Sequence, residues 1–199
     1  MCWNATVSIQ SFIIGSIAII LGVLYGSVDI VSAIFYGSIV FMQLIEYIIW
    51  TYGTNQTINY YASVSASLLL LIQPLALLYT IPQIKIRNKL IALYIVIGAI
   101  YKYFIKHTDY HISKSNGHLE WNWLRLNKIT FIGLCIYFIF LFLPIIITKN
   151  WTILFVALLT LFTSLYYYHK YNTWGSMWCW IVNIIVVIVC YKSILDLKR

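Results

Sequence analysis

The chain has 199 residues, of which 62% are hydrophobic and only 9% charged, with 13 Lys and Arg against 5 Asp and Glu. Roughly a quarter of a soluble domain is charged, because its surface meets water, so this composition excludes a water-soluble globule and names the lipid bilayer as the first partner. The formal charge of +8 sits in short segments between apolar runs, where it reads as topology-setting charge; no nucleic-acid partner is expected.

A helix needs about 20 mostly apolar residues to cross the hydrocarbon core. Segments 7–26, 28–52, 58–81, 89–106, 129–148, 151–168 and 174–194 qualify. The expectation is an all-α, polytopic transmembrane helix bundle of seven spans, with one transmembrane domain over residues 1–199 and a polar loop at 107–128. A closed β-barrel would need alternating polarity, and runs such as Ile136 to Ile147 do not alternate.

Before the first span there is no basic leader and no small-residue cleavage site, so that span is expected to stay. It carries Ser11, Gly15, Ala18, Gly22 and Gly26 at three- and four-residue spacing, a stripe that lets another helix approach closely in lipid. The second span places Ser32, Tyr36, Ile39, Gln43, Glu46 and Trp50 on one face, in steps of four and three. Glu46 is the only carboxylate inside a span. Polar groups in a bilayer are expensive and mark function by default, so this stripe should face inward, as a ligand site or as a hydrogen-bond network between helices. In the third span Ser63 and Ser67 lie one turn apart, ahead of Gln73-Pro74; Pro74 and, later, Pro144 are expected to kink their helices.

The long polar segment holds His107, Asp109, His111, His118 and Glu120. Imidazole and carboxylate are zinc ligands, yet the spacing matches no established signature, and a solvated loop is the alternative reading. The seventh span opens Trp174-Gly175-Ser176-Met177-Trp178-Cys179-Trp180, with Ser176, Trp180 and Asn183 on one face. Of the four cysteines, Cys135, Cys179 and Cys190 fall in apolar runs as packing thiols, and Cys2 beside Trp3 could pack or be acylated.

Seven spans put the termini at opposite ends. Seven of the eight Trp fall at the N-terminal end; only Trp151 falls at the C-terminal end. Aromatic belts normally serve both interfaces, so the asymmetry predicts a structured aromatic cap over one end. Gln43, Glu46, Trp50, Gln73, Ser176, Trp180 and Asn183 form the candidate site, able to hold a small cationic or amphiphilic ligand. Basic residues divide seven to the C-terminal end and six to the N-terminal end. The former spread over three segments, and the sequons at Asn4 and Asn55 fall at the latter, which favours an extracytoplasmic N-terminus.

The opening Met1-Cys2-Trp3-Asn4-Ala5-Thr6-Val7-Ser8 and the later Trp174 to Trp180, with Met42 to Tyr47 and Gln73-Pro74, resemble an uncharacterised family of multi-span membrane proteins found in large DNA viruses and some microbes. The resemblance implies a shared bundle and motif set, and no activity. Three functions compete. One is a small transporter, channel or receptor-like bundle with a polar cavity around Glu46 open to the N-terminal end. The second is a structural viral or organellar membrane protein, and the third a metal-dependent lipid hydrolase. A single Pro82-Gln83 lacks the second copy that PQ-loop carriers have. Lys192, at the end of the last span, does not suit a retinal protein.

Overall fold

The computed structural model describes residues 4–104, 111–125 and 127–196. Cys2, Trp3, His107 and Asp109 lie outside the described residues. The helices are α1 (Ala5–Leu24), α2 (Ile30–Tyr52), α3 (Gln56–Leu78), α4 (Ile84–Phe104), α5 (Lys128–Ile147), α6 (Trp151–Tyr168) and α7 (Trp174–Asp196). Each of the first three, and α5 and α6, starts on an asparagine or aspartate whose side chain accepts backbone N–H groups of the first turn: Asn4, Asp29, Asn55, Asn127 and Asn150. These caps satisfy donors that a helix cannot bond within itself. Among the described residues five helices, α1, α2, α3, α5 and α6, are long and apolar enough to cross a membrane. α4 begins earlier than the apolar run at 89–106 and takes Lys85, Arg87 and Lys89 into its opening turns.

The helices are not stacked in simple chain order. α2, α3, α5, α6 and α7 each pack against the next and α7 returns to α2, so five helices close a ring. α1 lies outside it, in the groove between α2 and α7, and α4 lies outside it against α3. The small-residue stripe explains the place of α1. A methyl added at Gly15 would come within 2.7 Å of Val40 on α2 and 3.0 Å of Asn183 on α7. Asn183 Nδ2 also donates to the Ser11 carbonyl at 3.2 Å. Gly26, with φ +70°, ends α1 in the left-handed conformation that glycine adopts without strain.

In the polar segment before α5, residues 111–125 are folded rather than a solvated loop. Strands β1 (Ile112–Ser115) and β2 (His118–Trp121) pair antiparallel, with Ile112 opposite Trp121 and Ser115 opposite His118. Asn116 and Gly117 form the turn, both with positive φ (50° and 73°), as a two-residue hairpin needs to match strand twist. All four residues of β2 are buried. A 3-10 turn, Asn122–Leu124, leads on to α5. The all-α class holds, with this one small hairpin added to the seven helices. The hydrophobic pull behind it is visible in Ile112, Leu119, Trp121 and Leu124, which join Met42, Ile45, Ile49, Ala62, Ala66 and Cys179 in one buried cluster.

Candidate functional site

The hairpin closes the N-terminal end of the ring, and the candidate site divides beneath it. Its anchors are specific hydrogen bonds. Asn59 on α3 clasps Ile112 with both ends of its amide: Oδ1 accepts from the Ile112 N–H and Nδ2 donates to the Ile112 carbonyl, each at 2.8 Å. Ser176 on α7 donates to the Leu119 carbonyl at 3.0 Å and accepts from Trp121 Nε1. Trp123 Nε1 donates to Ser63 on α3 at 3.1 Å. Lys114 Nζ sits 4.6 Å above the Trp50 ring at the end of α2, and His118 meets Tyr168 of α6 edge-on at 5.5 Å. The tryptophan excess at this end thus belongs to a folded cap rather than to a belt alone.

Several expectations change as a result. Ser176 holds the hairpin instead of facing an opening. The aromatic face of Trp50, expected for a cationic ligand, carries the protein's own lysine. Glu120, buried, accepts from Arg125 Nε at 2.8 Å, an ion pair within the cap. His111 and His118 lie four steps apart along the hairpin, about 13 Å at 3.3 Å per residue. His111 lies near Tyr60 of α3, and His118 beside Tyr168 of α6. The structure does not bring these two together. Among the described residues no three His, Cys, Asp or Glu converge as a metal site would require. Burial holds the His118 imidazole below its ordinary pKa of 6.5, since charging it there would forfeit hydration.

The α2 stripe does face inward, but it serves two places. Gln43 and Glu46 are fully buried in the turns that pack beneath the cap. Ser32, Tyr36 and Ile39, nearer the other end, line a cavity of about 420 Å³ inside the ring. This lumen runs from Gln73, Trp178 and Cys179 at its inner end to Thr80, Thr148, Asn150 and Thr152. Thr80, Thr148 and Asn150 lie between helices and Thr152 in the first turn of α6, so the lumen reaches the C-terminal end of the ring. Glu46 lines neither this cavity nor the second one, which lies beside α4. The expected opening around Glu46 toward the N-terminal end is neither of these two cavities. Asn183 binds α1, as described above, and Trp180 is half-buried.

At the inner end of the lumen one polar group stands out. Tyr137 of α5 donates to Gln73 Oε1 at 2.5 Å, which fixes the amide against Pro74. Gln73 is 3% exposed, and its Nε2 has no hydrogen-bond partner among the described residues. Pro74 contributes to this polarity, because a proline inside a helix leaves the carbonyl four residues earlier without its N–H donor. Trp178 Nε1, by contrast, is satisfied by Thr160 at 3.2 Å.

No family model, curated protein or solved structure matches the chain.

Sequence reasoning picked out Gln73 and missed Tyr137, Asn59 and the whole lumen mouth. Asn116-Gly117 between two short strand-like runs was the available signal for the hairpin, since Asn-Gly is the strongest short-range hairpin cue.

Proposed function

We propose that the protein is a seven-span, receptor-like membrane bundle that binds a small, uncharged, largely apolar molecule in the lumen of its five-helix ring. The observation that carries this reading is Gln73 Nε2, a buried amide donor without a protein partner at the inner end of an apolar cavity. An unsatisfied buried donor costs about 1–3 kcal/mol, which a ligand carrying a carbonyl, ether or hydroxyl oxygen would offset. A volume of about 420 Å³ lies in the range of small-molecule sites, roughly 300–1,000 Å³. Among the described residues no Asp, Glu, Lys or Arg lines the lumen, which favours a neutral amphiphile over a cation. The hairpin over the other end favours binding over throughput.

Crossing of the bilayer by α4 and α7 as well as the five apolar helices, an extracytoplasmic N-terminus, and kinship with the multi-span viral and microbial family belong to the same reading. Spacing of the basic residues and the sequence motifs support them. The test is native mass spectrometry of protein extracted in mild detergent. A small-molecule adduct should accompany the wild type, weaken in Gln73→Leu and disappear in Ala157→Phe, which fills the lumen wall; unfolding temperatures check that both variants fold. An adduct held equally by Ala157→Phe, or none in the wild type, would sink the proposal.

A further inference from the structure

A second cavity, of about 720 Å³, lies between α3, α4 and α5 beneath the 3-10 turn that follows the hairpin. Two tyrosines hold α4 on either side of it. Tyr94 donates to the Leu71 carbonyl of α3 at 3.2 Å, and Tyr101 to the Ile129 carbonyl of α5 at 3.3 Å. The Tyr101 ring lies so close over Gly133 that no methyl would fit there. Gly98 falls between these tyrosines on the same face of α4, four residues from one and three from the other. A Cβ at Gly98 would meet nothing within 4 Å. The two tyrosine contacts and the missing side chain leave a hollow between α4 and the helices those tyrosines reach.

The hollow is graded in polarity. Leu68, Leu71, Ile95 and Leu134 form its apolar walls, whereas Asn122 and Arg125 stand at the mouth on the N-terminal end. The side chain of Arg125 is 57% exposed and contacts Glu120 through Nε at 2.8 Å. A guanidinium has five N–H donors in a fork that matches a phosphate, so that single contact leaves donors for a second anion. Exposed Lys128, in the first turn of α5, adds a second cation against the one carboxylate.

We infer that this cleft is a binding site for one acyl chain of an anionic phospholipid, with the phosphate seated at Arg125. The inference rests on the reading of the chain as embedded in a bilayer. A hollow along the hydrocarbon-spanning stretch is filled by what surrounds it, and a basic mouth at the interface selects an anionic headgroup. The charge at the mouth favours a lipid over a second copy of this chain, which carries +8 itself.

The experiment reconstitutes the full chain in phosphatidylcholine vesicles containing spin-labelled phosphatidylglycerol or, separately, spin-labelled phosphatidylcholine. The motionally restricted fraction is read by electron paramagnetic resonance. Flotation of the vesicles first shows that the protein is embedded; protein that fails to float overturns the bilayer reading itself. With floating protein, phosphatidylglycerol should be restricted several-fold more than phosphatidylcholine. Gly98→Leu should remove that excess, and it should fold, because its side chain enters open space. Arg125→Gln should equalise the two lipids, and Arg125→Lys should restore part of the preference. Equal restriction of the two lipids by the wild type overturns the site. So does an unchanged excess in Gly98→Leu, or a dimer in detergent, seen by light scattering, that Gly98→Leu breaks.

Discussion

Asn59 shows how one side chain can fix a whole segment. Its amide replaces the partners that Ile112 would otherwise find in water, at the point where the chain enters the bundle. Asn59→Ala leaves a buried N–H and a buried carbonyl unpaired, and should cost about 1–3 kcal/mol. Thermal unfolding in detergent, with Trp fluorescence following Trp121 and Trp123, checks the value; a loss well under that range would mean that the apolar contacts alone hold the hairpin. His118 makes the same segment sensitive to acid. Its folded pKa is depressed by burial below 6.5, so below that pH the unfolded chain binds the proton more readily than the folded one. Stability is therefore fully present above about 6.5 and declines as pH falls toward the folded value. Unfolding temperature should drop on acidification from neutral pH, and the part of that slope due to His118 should vanish in His118→Gln. The residues that sequence reasoning read correctly, Gln43 and Glu46 as inward-facing, were legible because a helix period and the expense of polar atoms in lipid allow one answer. Gln73's partner was not, since nothing local ties Tyr137 to a residue 64 positions away.

At the level of elements, helices were legible and their neighbours were not. Apolar runs of about 20 residues specify spans, but which span touches which depends on side-chain fit along faces that all look alike in composition. The stripe of α1 is the exception, because small residues announce a close approach. Gly15→Leu should destabilise the bundle by about 1–3 kcal/mol through overpacking, forcing α1 away from Val40 and Asn183. Gly37→Leu, where an added side chain meets nothing within 4 Å, is the matched control and should be neutral or slightly stabilising, since glycine is about 1 kcal/mol worse than alanine inside a helix. Unfolding of the two variants side by side decides the matter; equal losses would mean that α1 is not seated as described. The hairpin was hidden for a different reason. Its strands are only four residues long and mostly polar, so composition suggested water, while the apolar cluster beneath took just Ile112, Leu119 and Trp121 from them.

The whole molecule is a ring of five helices with two more laid against its outside, capped at one end and hollow toward the other. Many large hydrophobic side chains remain exposed, among them Ile14, Phe155, Phe162 and Tyr166, as lipid-facing surfaces require and water-facing ones rarely allow. Composition alone already pointed to such an apolar exterior. The polarity of the molecule from end to end was half legible: the tryptophan count foretold a cap, and the direction in which the lumen opens depended on a fold within the segment that looked least structured.

That cap gives the hollow a floor. A vessel open only at its rim would fill and empty through that rim, so on the proposed reading a bound molecule would exchange with a single compartment. To pass anything across, the floor itself would have to lift, breaking the Asn59 clasp and the Ser176 bridge together. The lifetime of those bonds would then set the pace.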